Sequence, residues 1–462
     1  MTPTMLKILI NIILFVLIGI FSGIFLYKLK IEQKGFKSLF IFYTIFWMPL
    51  MLLRPYANPM DSAIGSEINM LALVLSVYGI IGIFIRPFAD YMNFKFTQRK
   101  AFLLLAIVSQ FILYIPILVS PNDATNVLQS IGVGIGASCI GSFQLLFKEQ
   151  YSPNKNYLNV SLLSIPPLLA NFLTSPIQSL ISQSSTNETG SRDPNILKYL
   201  WLIGIVLVII AFVFWFFIKE NKNNFFGFIK TEDYFDTKKE TRNFLFIALI
   251  GMIITFIKFA NSGGVATNNL ITLGQITGLD VSSYEGYISI VFSIGQLIGG
   301  ILVGTYLIKK MSTIKIFSIG IFVWIIYSIS VIFILDPISY ISIHALNGFA
   351  YGILYNLILA KTLSMIFNNT KKITPMGIYQ GCLAIGIAVS GFFIGWIKGF
   401  VVENSEQFFN NSLIINSTII GLSIFLWLIY FYNDYLNKKT GSDSSKKEPF
   451  YSENRSENYR KI

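Results

Sequence analysis

The feature that most constrains this chain is a series of thirteen apolar stretches, joined by loops whose positive charge is gathered on every second one. Hydrocarbon offers the backbone no hydrogen-bond partner, so a crossing segment must satisfy its own, and a helix of about 20 apolar residues does so over roughly 30 Å. The stretches have that length and predict helices over 5–27, 38–57, 68–88, 101–119, 126–147, 157–183, 199–218, 244–261, 284–308, 313–334, 338–360, 377–397 and 412–431. The expected fold class is an all-α integral membrane protein.

Charge sets the expected topology. Of the 35 Lys and Arg, only Lys7, Arg192, Lys198 and Lys398 lie on one side, and Arg54, Arg86 and Lys258 lie within spans or at their ends. The rest fall in or at the edges of loops that follow odd-numbered spans, or in the C-terminal tail. The positive-inside rule then puts the N-terminus outside and the C-terminus in the cytoplasm of a multi-pass cell-membrane protein. The net charge of +12 is thus topological and gives no reason to expect nucleic acid as a partner. The lipid bilayer is the expected partner surface, with Lys438-Lys439 and Lys446-Lys447 resting against anionic headgroups. Charged residues are only 13% of the chain, against about 25% in soluble domains. Cys139 and Cys382 sit inside spans and His344 is the one histidine, so no disulfide, metal site or cofactor is expected.

The first stretch has two readings. Lys7 followed by apolar residues to Phe25 fits a secretory signal, with Phe21-Ser22-Gly23 as a weak cleavage sequence. Its length, and the anchors Lys28, Lys30, Lys34 and Lys37, favour a retained extra helix; cleavage would leave the other twelve spans with the same topology. Those twelve divide into sixes at the charged segment 219–243. The expected units are an extra helix and basic loop at 1–34, a six-helix bundle at 35–218, a cytoplasmic linker at 219–243, a second bundle at 244–432 and a disordered tail at 433–462.

Echoes between the sixes point to duplication. Arg54-Pro55-Tyr56-Ala57-Asn58 in the first span of one half answers Lys258-Phe259-Ala260-Asn261 in the other. Gly65-Ser66-Glu67 answers Gly278-Leu279-Asp280, and Ser76, Gly79 and Gly82 answer Ser293, Gly295 and Gly299.

Gly82-Ile83-Phe84-Ile85-Arg86-Pro87-Phe88-Ala89-Asp90, leading to Arg99-Lys100, resembles the loop signature of the major facilitator superfamily. Glu149 with Tyr151-Ser152-Pro153-Asn154-Lys155 is similar to that family's acidic and basic loop two spans later. Arg86 stands where the signature has its first glycine, and 91–98 lacks the basic-x-Gly core. The resemblance covers about residues 35–435 and implies two six-helix bundles related by a pseudo-twofold axis, here with one extra N-terminal helix. It also implies a cytoplasmic gate at Asp90. Arg86 lies four residues before that carboxylate on one helix face, and Arg99 lies across the short loop, so both are candidate gating partners; the plainer reading is an interfacial ion pair.

Charges inside spans are costly and usually face a cavity. Arg54 and Lys258 occupy matching places in the first helix of each half, which in the family line the central cavity. Together they form a candidate anion site, Arg as a bidentate fork and Lys as a point charge; snorkelling to the headgroups is the alternative. Asn58, Asn261, Gln144, Asn347, Tyr351, Asn356 and Gln380 are uncharged donors and acceptors suited to a substrate, or to bonding a neighbouring helix. No Asp or Glu lies inside a predicted span; Asp90, Glu149 and Glu285 stand at boundaries. His344 is the one candidate proton carrier, with a hydrogen-bonded packing role as the alternative. Glycine rows at 132, 134, 136 and 141, and at 381, 386, 391 and 395, suit close helix packing.

The expected function is a secondary transporter moving a small, anionic metabolite, phosphorylated or carboxylated, by alternating access as a monomer. Efflux of hydrophobic compounds is the alternative within transport. A membrane enzyme on lipid-linked substrates, or a receptor or scaffold, is the alternative outside it, although no Walker-type or paired-acid catalytic motif occurs.

Overall fold

The computed structural model describes residues 3–28, 35–66, 68–96, 98–151, 156–186, 192–220, 237–367, 375–398 and 405–439. The helices are α1 (Pro3–Lys28), α2 (Phe36–Leu53), α3 (Ala57–Ile64), α4 (Ile68–Phe96), α5 (Lys100–Val119), α6 (Asp123–Ser138), α7 (Ile140–Tyr151), α8 (Asn156–Ser185) and α9 (Pro194–Leu197). They continue as α10 (Tyr199–Trp215), α11 (Thr237–Ala260), α12 (Gly264–Thr277), α13 (Glu285–Leu302), α14 (Ile308–Lys310), α15 (Thr313–Phe333), α16 (Pro337–Phe367), α17 (Pro375–Lys398) and α18 (Ser405–Lys439). Among the described residues the one β feature is an isolated bridge between Thr186 and Arg192.

Among the described residues, eleven helical stretches are long and apolar enough to cross a membrane. The other two predicted spans are present as helices of different character. The apolar core of α1 is the shorter Ile8–Ile24, and α8, at 30 residues, carries Pro166, Pro167 and Pro176 inside it. Large apolar side chains point outward all round the bundle, Phe84 at 70% and Phe333 at 71% exposure among them, as a lipid-facing surface requires.

Three expected boundaries need correction. The first core span continues through α3 to Ile64, so Asp61 belongs to it; hydropathy ended the span at residue 57 because Asn58 and Asp61 face protein rather than lipid. Helix α11 begins at Thr237, inside the expected linker, and α18 runs to Lys439, inside the expected tail. Polar helix ends extend past the hydrocarbon, where length and hydropathy stop agreeing. The remaining linker, 221–236, the tail from 440, the loop 29–34 and residues 152–155 lie outside the described residues.

The halves meet along two seams, α4 against α17 and α8 against α13. Small residues make the first seam possible. A side chain at Gly79 would strike the backbone of Ala388, and one at Gly395 would strike Ala72, so these axes approach more closely than alanine allows. Helix α1 packs against α8 and reaches the second half through Asn11, whose Oδ1 accepts from the Tyr287 hydroxyl at 2.8 Å.

Candidate substrate site

Each half breaks its first helix at its cation. Helix α2 ends at Leu53 and a tight 3-10 turn, Arg54–Tyr56, leads into α3. Pro55 has no N–H to give the Met51 carbonyl; Gln178 supplies the missing donor, with Nε2 2.8 Å from Met51 O and 3.0 Å from Leu52 O. In the second half α11 stops at Ala260, and Gly263, at φ +61°, turns the chain into α12. Asn347 supports this break, donating to Asn261 O at 3.1 Å. Interrupted helices of this kind mark the ligand sites of many transporter folds.

Between the halves lies a cavity of about 120 Å³ lined by both cations. The Arg54 guanidinium lies 5.0 Å from the Phe259 ring centre and 5.8 Å from that of Tyr78. Lys258 Nζ lies 4.3 Å from the Tyr351 ring, 5.1 Å from Phe259 and 5.7 Å from Phe292. Aromatic faces partly offset the lost hydration of each cation, but the two charges repel one another. Among the described residues no carboxylate forms an ion pair with either. The arrangement can take an anion between a planar fork and a point charge.

Towards one end the cavity is floored by an inter-half amide ladder. Gln144 Nε2 donates to the Tyr355 hydroxyl at 2.9 Å, and Gln380 Nε2 donates to Gln144 Oε1 at 3.0 Å. Arg86 lines the cavity and donates through Nη1 to Gln380 O at 2.9 Å. One turn further out, Asp90 lies 3.7 Å from Arg99 and accepts the Gly377 N–H at 3.2 Å. The carboxylate thus joins α4 to the start of α17, with Arg99 beside it and Arg86 engaged at the cavity floor.

At the opposite end, Glu285 is 1% exposed. It accepts from the Tyr56 hydroxyl at 3.1 Å and the Ser182 hydroxyl at 2.7 Å, and it forms an ion pair with Arg192. All three donors come from the first half, while Glu285 opens α13 in the second.

A family model described as Major Facilitator Superfamily matches residues 38–367, more than half of the chain. The chain belongs to the Major Facilitator Superfamily. No curated protein sequence matches it significantly. Solved structures share its fold at low identity. A bacterial homolog of the human lysosomal transporter Spinster, in an inward-facing and occupied conformation, superposes with TM-score 0.60 at 13% identity over 86% of this chain and 96% of that one. The human organic anion transporter MFSD10 gives 0.61 at 12% identity over 86% and 99%. A variant of the nucleoside transporter NupG gives 0.61 at 11% over 85% and 100%.

Within this major facilitator chain the predicted substrate-site residues, with Arg86 and His344, fall in three places. Arg54, Lys258, Gln144, Tyr351, Gln380, Arg86 and His344 all line the main cavity. His344 does so with both ring nitrogens engaged: Nδ1 meets Tyr340 O at 2.7 Å and Nε2 meets the Tyr327 hydroxyl at 3.2 Å. A carbonyl only accepts, so Nδ1 carries the proton and Nε2 receives one from tyrosine. Asn261 instead bonds Asn416 Oδ1 at 2.7 Å, Asn347 accepts from Trp324 Nε1 at 2.8 Å, and Asn356 donates to Gly352 O at 2.7 Å and accepts from Ser164 at 3.0 Å. These three brace helices. Asn58 lines a smaller chamber beside the cavity.

Asn171 also lines the cavity and is absent from the predicted set. Asn171 donates to Ser289 O at 3.1 Å and Ser293 Oγ at 2.7 Å, tying α8 to α13. The signal was available: Asn171, Ser175, Gln178 and Ser182 follow a helical 4-3-4 spacing, a polar stripe along an otherwise apolar helix. Glu285 and Asp61 are both buried, at 1% and 2% exposure. Glu285 stands at the span edge where the sequence places it and is buried there, whereas Asp61 lies within the longer first core span, against the expectation that no carboxylate lies inside a span.

Proposed function

We propose that this protein carries a small organic anion across the membrane by alternating access, acting as a single chain. The observation that carries the reading is the pair Arg54 and Lys258, one from each half, held in a shared cavity with no carboxylate paired to either among the described residues. Two uncompensated cations in a poorly hydrated space are unfavourable until an anion joins them. Because the cations belong to different halves, the anion binds best when the halves are together, which couples binding to closure. Proteins of the same fold are described as transporting organic anions in one case and nucleosides in another, so the fold accommodates charged and uncharged solutes; the cation pair favours the charged class.

In this proposal the Asp90 end faces the cytoplasm and the Glu285 end faces outward, following the charge of the loops. Asn122→Cys, in the turn before α6, should react with an impermeant thiol reagent in intact cells, and Ser312→Cys, in the turn before α15, should not. Reversed labelling would invert the topology. The function itself is tested by counterflow of labelled carboxylates and phosphate esters in proteoliposomes. Saturable exchange that disappears in Arg54→Gln supports the reading; exchange of neutral or hydrophobic solutes alone would refute it.

A further inference from the structure

Arg54 and Tyr78 line the main cavity and also a second chamber of about 40 Å³. The chamber is built from both halves, with Asn58 and Gln129 from the first and Ser262 from the turn after α11. These three side chains are buried, at 1%, 0% and 6% exposure. Even so, Arg54 Nε, both amide atoms of Asn58, Gln129 Oε1 and Ser262 Oγ have no hydrogen-bond partner. Buried polar atoms are nearly always paired, so a cluster of unpaired ones around a space marks where something else supplies the partners.

The fixed amides define what that something is. Asn126 Nδ2 donates to Ala57 O at 2.9 Å and to Asp61 Oδ1 at 2.5 Å. A backbone carbonyl cannot donate, so this amide cannot be turned over. Its Oδ1 therefore meets Gln129 Nε2 at 2.8 Å, and the same Nε2 donates to Ser130 Oγ at 2.8 Å. Gln129 is fixed in turn, and its unpaired atom is an oxygen that needs a donor. Arg54 Nε is a donor that needs an acceptor. A carboxylate or phosphate, which only accepts, leaves Gln129 unpaired; a methyl leaves both unpaired; an ammonium sets a like charge against the guanidinium. A hydroxyl both donates and accepts. The volume admits about three waters at 10–15 Å³ each, or one hydroxymethyl-sized group.

We propose that the transported solute is a hydroxylated organic anion, with its charge between Arg54 and Lys258 and a hydroxyl seated in this chamber. Water fills the same positions when the site is empty. The proposal rests on the anion reading above.

The test uses purified full-length protein and two probes that differ by one oxygen, 3-hydroxypropyl phosphate and propyl phosphate, with affinities from thermal-shift titration. The hydroxylated ester should bind at least about tenfold more tightly, because a site built for a hydroxyl rejects the analogue lacking it. Gln129→Leu should bring the hydroxylated ester down to the affinity of the propyl ester. Ser262→Ala, a milder change at a different wall, should narrow the preference at least about threefold and keeps the test valid if Gln129→Leu does not fold. Arg54→Gln should weaken both probes. Equal binding of both probes by the wild type, with Arg54→Gln still weakening them, would overturn the hydroxyl chamber and leave the anion site standing. Binding of neither probe would overturn both.

Discussion

The two ends of the cavity are closed by carboxylates in opposite ways. At one end Asp90, from the first half, pairs with Arg99 of the same half and, among the described contacts, meets the second half through the backbone N–H of Gly377. At the other, Glu285 belongs to the second half, and Tyr56, Ser182 and Arg192 all cross to it from the first. Separation at the Glu285 end therefore breaks a buried ion pair, whereas separation at the Asp90 end leaves the ion pair intact. Removing a buried charge from its partner costs several kcal/mol, whereas the Asp90 end is spanned by hydrogen bonds, those of the Gly377 N–H, of Arg86 and of the Gln144–Gln380 ladder, each worth about 0.5–3 kcal/mol. The two ends are thus held by different chemistry, an ion pair across the halves at the Glu285 end and hydrogen bonds across them at the Asp90 end.

The largest effect should come from Glu285→Ala. It leaves Arg192 without its counter-charge, a change worth about 3–5 kcal/mol for a buried pair, and the closed form of that end bears the loss. In a background with Cys139 and Cys382 replaced by serine, Ser289→Cys, one turn inside Glu285, reports access from that end. Its labelling by an impermeant thiol reagent should rise by more than about tenfold, a 1.4 kcal/mol shift or larger. Unchanged labelling would mean that the two ends hold equally.

The cations between the ends give the next effect, on transport rather than on closure. Arg54→Lys and Lys258→Gln should each reduce anion uptake by at least about tenfold at matched abundance, roughly 1.4 kcal/mol. Lysine fails at position 54 because it lacks the planar fork. Without anion, Ser289→Cys labelling in these variants should stay near wild type. Wild-type uptake by both variants would remove the cations from the site and leave the two closures with nothing charged to enclose.

How much of this was legible follows from what each residue answers to. Spans answer to hydrocarbon thickness, so their order is plain in hydropathy, while α1 and α8 show where length and apolarity fall short of it. Arg54 and Lys258 answer to the cost of a charge in lipid, and their matched neighbours mark them as a pair. Glu285 was invisible as a latch because its partners lie on three separate segments, and a helix-initial glutamate at a span edge looks like any surface carboxylate. Asp61 is hidden in the sequence because it and Asn58 end the apolar run, and its partner Asn126 lies on another helix. Spacing put Arg86 and Asp90 on one helix face, but it does not fix which way along that face a long side chain runs; Arg86 runs to Gln380 O.

Asp90→Asn should have a smaller effect than Glu285→Ala. The amide oxygen can still accept the Gly377 N–H, so the loss is the difference between a charge-assisted and a neutral hydrogen bond, about 1 kcal/mol, together with the pairing of Arg99. Transport should fall several-fold while the protein still reaches the membrane, and a thiol placed at Gly141, which faces Gln380 across the seam, should label more readily from the Asp90 side. An effect on labelling as large as that of Glu285→Ala would reverse the comparison.

The smallest effect isolates one strand of the Glu285 latch. Tyr56→Phe removes a single neutral donor, 3.1 Å from the carboxylate, and leaves the ring packed in place. Ser182 and Arg192 still hold Glu285 and share its charge, so the net loss should fall below the about 1.5–3 kcal/mol of a lone hydrogen bond to a charged group, seen as a rise of a few-fold in Ser289→Cys labelling. If Tyr56 acts through Glu285, the same substitution in the Glu285→Ala background should add nothing, because the interaction it removes is already gone. An equal increment in both backgrounds would show that Tyr56 supports the helix break at Arg54 instead, and the Glu285 end would then rest on Ser182 and Arg192 alone.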